Sequence, residues 1–297
     1  MDARWGFLGV PSSAGAHTPG LEKGPTAVRA AGLVHLLPGG AVDHGDVSSF
    51  RWRPDPRRPS AKNAAAVARV ATSVAAGTAR ILARDQLPLV VGGDCSITAG
   101  VVSGFALAGA PPALLYVDGG PDLFTPATRS VGNLDAMGLA CMLGVPGCVP
   151  ELAGIGPSTP LLSADEVVSY GHALPPGDVE LEMLDKLAIT HLHADEIHAD
   201  PAAAASRARE AIESAGPRFV VHCDVDVLSF VDTPLADVPD SGGEPIGLTL
   251  DELATSLSVF TASPRFAGLV LTEINPDHAP DPSAVTRFVT RFAAALR

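Results

Sequence analysis

Basic residues are scarce in this chain. Twenty lysines and arginines stand against 33 aspartates and glutamates, a formal net charge of −13 at neutral pH. No Lys/Arg cluster interrupts that excess, which argues against a nucleic-acid partner or an anionic membrane surface and favours small, cationic ligands. Cysteine is also sparse: Cys95, Cys141, Cys148 and Cys223 have no paired zinc-type spacing. Nothing suggests a disulfide framework, so a reducing, cytoplasmic setting is the default expectation. Long unbroken apolar runs are missing too. The opening MDARWGFLGVP has no basic segment followed by an apolar stretch, and the alanine-rich segment 61–84 is broken by Lys62, Arg69 and Arg80. Neither a signal peptide nor a membrane span is expected. With no biased linker and no repeat at a fixed period, the chain reads as one domain, 1–297, large enough for a full core.

What is present is an alternation. Apolar runs of strand length, WGFLGV, LPLVVGG, PALLYVD, RFVVHCDVD and FAGLVLTEI, are separated by alanine-rich segments of helical length such as 61–84, 202–215 and 282–296. That order predicts βαβ units around a mostly parallel sheet. The prolines fall mainly between periodic segments, and RWRPDPRRPS at 51–60 reads as an exposed loop.

Four of the strands end in acid: Asp94 after LVVGG, Asp118 and Asp122 after ALLYV, Asp224 and Asp226 after FVVHC, and Glu273 after GLVLT. Ligands of open α/β sheets sit outside the carboxyl ends of the strands, so these groups are candidates for one pocket. Taken singly, each acid is as well explained as a helix cap or turn residue, and Asp94 in particular reads as a cap.

VGGDCSITAG at 91–100, YVDGGPDLFTP at 116–126, CDVDVL at 223–228 and LTEINP at 271–276 resemble, in order and spacing, the motifs of the arginase/agmatinase (ureohydrolase) family. GVPSSAGAHTPGLEKGPTAVRAAGL at 9–33 is similar to that family's opening glycine-rich segment, which extends the likeness over nearly the whole chain. The resemblance implies a three-layer α/β/α fold and a two-manganese site that activates a bridging hydroxide for attack on a guanidinium carbon. It also implies trimers or hexamers. Asp118, Asp122, Asp224 and Asp226 match the family's carboxylate ligands, and Glu273 its guanidinium-binding glutamate. Two histidine ligands are replaced, one by Cys95 and the other by Gly120, and a third histidine, of the proton-transfer position, becomes Asp135.

Those replacements bear on the metal. Carboxylates suit Mn²⁺ or Mg²⁺, a thiolate at Cys95 favours Zn²⁺ or Fe²⁺, and a glycine donates nothing. One or two ions are compatible with the set, and a small buried apolar role for Cys95 competes with the ligand role. The substrate-binding stretch LFTPATRSVGN keeps Asn133 but has Phe124 and Val131 where the family has polar groups, and HALPPG at 172–177 offers Pro175 where it has a carboxylate. Free arginine is therefore not the expected substrate. The expectation is a metal-dependent hydrolase of a guanidino or amidino C–N bond, with Glu273 and Asp135 catalytic. The alternative is a metal-poor pseudoenzyme that keeps the fold as a binding or assembly subunit.

Three other features invite a metal reading. HLHADEIHAD, residues 191–200, looks like a metal cluster by composition, yet alternate histidines at a strand's end are usually surface groups. His222 shares a strand face with Asp224 and reads as an outer support for it or as a satisfied core histidine. His17, in the glycine-rich loop, reads as solvated or as reaching the pocket mouth.

Overall fold

A computed structural model describes residues 4–236 and 243–296. Eight strands form its sheet: β1 (Trp5–Val10), β2 (Ala41–Asp46), β3 (Leu87–Gly92), β4 (Ala113–Val117), β5 (Val167–His172), β6 (Thr190–His193), β7 (Phe219–Asp224) and β8 (Phe266–Thr272). All are parallel, in the order β2-β1-β3-β8-β7-β4-β5-β6. The central strands are covered on both faces, which is why they read as continuous apolar runs and not as alternating ones.

One face of the sheet packs the helices Ala64–Leu82 and Ile97–Leu107, with Val90, Val220 and Val270 beneath Val70, Val74 and Val101. The other packs Pro201–Ala215, Leu250–Thr261 and Pro282–Ala295 over Leu89, Leu115, Val221 and Leu269. Residues adjacent in a strand therefore serve opposite layers, and the result is the expected α/β/α sandwich. The Ala64–Leu82 helix is long and apolar enough to cross a bilayer, but half of it is buried, and Val67, Val70, Val74 and Ile81 form its core-facing stripe. Residues 51–60 are mostly exposed, as expected of a loop.

The arrangement that matters chemically is the adjacency of β3, β8, β7 and β4 at the centre of the sheet. Each of the acid-ended apolar runs is one of these four neighbours. Parallel strands place all of their carboxyl ends on one edge, so the order alone gathers Cys95, Glu273, Asp224 with Asp226, and Asp118 with Asp122.

Candidate active site

A cleft of about 150 Å³ opens at that edge, lined by seven carboxyl side chains: Asp118, Asp122, Asp135, Glu180, Asp224, Asp226 and Glu273. Two are held in the left-handed backbone region, Asp122 at φ 53° and Glu273 at φ 65°. For a non-glycine residue that conformation costs on the order of 1 kcal/mol or more, and such strain concentrates at functional sites.

Local hydrogen bonds aim the carboxylates. The Gly120 amide donates to Asp118 at 2.8 Å, the Gly119 amide to Asp226 at 3.0 Å, and the Asp226 amide to Asp224 at 2.7 Å. A Cβ on Gly119 would lie 2.9 Å from the Asp226 carbonyl, so this crossing of two loops requires glycine. Tyr116 donates its hydroxyl to Asp122 at 2.5 Å. Asp94 takes the Ser96 amide, as a cap would, but also the Gly15 amide at 3.0 Å, and thereby ties the glycine-rich loop to the floor of the site.

Burial pushes the pKa of Asp118 well above the ordinary carboxylate range, with Asp226, Asp122 and Asp224 adding repulsion. Burial does the same for Asp122 and Asp224, and it also raises the pKa of Asp226. No lysine or arginine among the described residues pairs with any of the four; the one basic partner is His222, whose Nε2 lies 3.3 Å from Asp118. Two like charges about 4 Å apart repel by roughly 4 kcal/mol at an effective dielectric near 20. A divalent cation is the group that this donor set fits, because it would neutralise the four oxygen donors together and no protein cation does so.

Cys95 points into the same centre. Its thiol donates to Asp224 at 2.5 Å and lies 3.3 Å from the Thr272 hydroxyl, while burial and the surrounding carboxylates push its pKa far up. Cys95, Asp118, His222 and Asp224 form a group of buried side chains whose donor atoms all lie within 4.8 Å of one another. His222 is buried and bonded on both ring nitrogens, to Asp118 and Thr98, which fits the core-histidine reading better than support of Asp224. Its register partner is Tyr116 on β4, and the two rings stack at 4.0 Å.

Around this centre, Asp135 accepts from Asn133 at 2.5 Å and from the Ala136 amide, and burial beside Asp94 raises its pKa to about 7. Phe124 and Asn133 line the cleft, as does His17, so that histidine belongs to the cleft wall as well as to its loop. Val131 corrects the sequence-based expectation. It does not line the cleft and is 52% exposed, because the chain turns at Gly132 (φ 74°) before Asn133 enters the wall.

Two charged cleft residues were absent from the sequence-based site. Arg129 lies over the Phe124 ring at 4.8 Å and donates from Nε to Asn133 at 3.1 Å. It is the only cation in LFTPATRSVGN, four residues before Asn133, and that charge was the available signal. Glu180, not Pro175, brings a side chain from the segment after β5. It accepts from the Leu123 amide at 2.8 Å, and burial lifts its pKa to about 8. One of its oxygens lies 3.5 Å from where a Cβ on Gly120 would stand.

Comparison with known proteins gives the family and the fold. Residues 3–296 match the family model described as the Arginase family. Arginase-1 of Rattus norvegicus is 30% identical over 299 residues, covering 97% of this chain and 90% of the relative. Among solved structures, arginase from Bacillus caldovelox superposes with a TM-score of 0.85 at 24% identity, covering 99% of this chain and 98% of that one. A Trypanosoma cruzi formiminoglutamase, solved with Mn²⁺, shares the fold at a TM-score of 0.71 and 18% identity, with 100% and 95% covered. The ordered motifs, the sheet edge at which they converge and the match over nearly its full length place this chain in the arginase family.

Proposed function

We propose that this protein hydrolyses an amidino or guanidino C–N bond in a substrate whose tail is a carboxylate without the adjacent ammonium of free arginine. Membership of the arginase family supports the reaction class. The observation that carries the substrate reading is Arg129. In a cleft lined by seven carboxyl groups it is the one guanidinium, held rigid by Phe124 and Asn133 on the outer wall. A cationic amidine head is drawn inward to the carboxylates, and an anionic tail is drawn outward to Arg129.

An α-ammonium has no comparable partner. Glu180, the acid that the segment after β5 brings to the cleft, has its pKa lifted to about 8 by burial, which weakens it as a counter-charge, and Pro175 lies outside the cleft. Leaving one charged hydrogen bond unmade costs about 1.5–3 kcal/mol, enough to set preference between tails.

Asp118, Asp122, Asp224, Asp226 and Cys95 would hold the divalent ion. When bound, that ion supplies Lewis acidity and brings the pKa of water into the neutral range. Glu273, fixed by its strained backbone and by the hydrogen bond that its amide donates to the Gly93 carbonyl, orients the amidinium. Asp135, with a pKa near 7, holds a proton that it can give to the departing nitrogen and recover from solvent. The test is product release, with metal supplied, from guanidinobutyrate, an N-formimino amino acid, agmatine and arginine. Acid-tailed substrates lacking a free ammonium should be turned over at least about tenfold more efficiently than arginine. Arginine turned over as well as any of them would refute the substrate reading.

A further inference from the structure

The geometry points to His222 as the replacement imidazole of a four-donor site, with Cys95, Asp118 and Asp224, that takes one zinc-class divalent ion. We infer this from the donors themselves; the inference rests on the proposed function and deepens it, replacing Asp122 and Asp226 by His222 in the ligand set and leaving water to enter as a fifth ligand, an expansion that zinc tolerates. The four side chains come from the ends of β3, β4 and β7, all four are buried, and their donor atoms lie within 4.8 Å of one another. A tetrahedral zinc with bonds of about 2.0–2.3 Å has donor–donor edges of roughly 3.3–3.7 Å. His222 Nε2 and Asp118 Oδ2 already stand 3.3 Å apart. The shorter Cys95–Asp224 contact of 2.5 Å is a thiol donating to a carboxylate, and loss of that proton to an arriving cation removes the reason for its closeness.

His222 is built to hold a fixed orientation. Its Nδ1 meets the Thr98 hydroxyl at 2.8 Å, and its ring lies on Tyr116 at 4.0 Å and 15°. With Nδ1–H donating to Thr98, Nε2 carries the lone pair and faces Asp118 at 3.3 Å, the arrangement that outer hydrogen bonds impose on metal-binding histidines. Thr272, within 3.3 Å of Cys95 Sγ, is placed to donate its hydroxyl to a thiolate. One thiolate and one imidazole with two carboxylates favour Zn²⁺ over Mn²⁺ or Mg²⁺. For a second ion Gly120 brings no donor, which leaves Asp122 and Asp226 to hold it through carboxylate oxygens alone.

The experiment reads the metal, not turnover. The intact protein, purified without added metal, should contain about one zinc per chain. After exchange with Co²⁺ it should show a thiolate-to-cobalt charge-transfer band and the intense visible bands of a tetrahedral ion. X-ray absorption at the bound metal should register one sulfur and one imidazole. Cys95→Ser should remove the charge-transfer band. His222→Gln should weaken zinc binding by about tenfold or more, whereas His17→Ala should leave both spectra unchanged. Should His222→Gln fail to fold, sulfur and imidazole in the native absorption spectrum, kept by His17→Ala, carry the test. Two manganese ions per chain, a metal spectrum without sulfur, or unaltered zinc affinity in folded His222→Gln would overturn the assignment. A zinc protein with these spectra that hydrolyses no amidine would uphold the site and overturn the functional reading instead. Hydrolysis by a sulfur-free two-manganese form would do the reverse.

Discussion

Two regions of this molecule are rich in histidine and acid, and they use those residues in opposite ways. In HLHADEIHAD the groups are neighbours in sequence and satisfy one another locally. His193 caps the helix Ala194–Ala199 by accepting the Asp195 amide, Glu196 returns to the His193 amide and pairs with Arg207, and His198 meets Glu252. His191 bonds His172 and Asp185 at the sheet's edge. In the central cleft the groups come from segments as far apart as 95 and 273, they are largely buried, and most of their acids are forced up in pKa. Local density of metal-binding residue types thus made a capped helix, while dispersed residues at the ends of adjacent strands converge in one cleft. The physical difference is that the surface cluster has already spent its donors on its own backbone and neighbours, whereas the cleft holds carboxylates in excess of any protein cation.

The largest effect should separate the two regions outright. Asp224→Asn removes an acceptor of Cys95, Thr272 and the Asp226 amide, and metal affinity and turnover should fall by more than about a hundredfold. His193→Ala should leave both within about twofold, as measured by metal titration and initial rates. Loss of metal on changing His193 would mean that the edge cluster, too, is a site.

Next in size is the tail of the substrate. Arg129→Ala should lower kcat/KM for an acid-tailed amidine by about 10- to 150-fold, equivalent to 1.5–3 kcal/mol, and leave agmatine nearly unaffected. Equal losses on both substrates would assign Arg129 to holding the Phe124–Asn133 wall and not to recognition.

A smaller effect concerns Asp135. Its folded pKa of about 7 lies above the usual unfolded carboxylate value, so the folded chain binds the extra proton and metal-free stability should fall as pH rises from 4 to 7. Asp135→Asn keeps a group that can face Asn133 and removes the part of that slope that Asp135 contributes. Thermal melts should coincide near pH 4 and favour the variant above pH 7 by roughly 1–2 kcal/mol. Parallel curves at all pH values would contradict the raised pKa. Smallest of all, His191→Ala at the partly exposed edge should change stability by no more than about 0.5 kcal/mol.

Much of the fold was legible because parallel strands buried on both faces must be apolar from end to end, and β1, β3, β4, β7 and β8 announce themselves that way. The remaining strands did not. β2 is largely exposed with the sequence AVDHGD, and β5 and β6, VVSYGH and THLH, carry polar groups near the sheet's edge. The acids at the ends of the central strands were legible one by one, but their convergence depends on β3, β8, β7 and β4 being neighbours, an order set by tertiary packing. Arg129 and Glu180 went unnoticed because each sits in an unremarkable local context, a turn and the first turn of a helix, and only the folded loops bring them to the cleft. Val131 was misplaced for the converse reason: the family resemblance implied a place in the wall, and the turn at Gly132 sends it to solvent.

Thermal melting of the metal-stripped protein, with and without added Zn²⁺, tests most directly whether the central carboxylates form a cation site. A ligand selective for the folded state stabilises it by about 2.7 kcal/mol at a hundred times its Kd, so wild-type melting should rise by several degrees. Asp224→Asn should show no rise. A wild-type curve indifferent to zinc and manganese alike, from protein that carries no metal when isolated, would contradict the account and favour a metal-poor relative that keeps the fold without the chemistry.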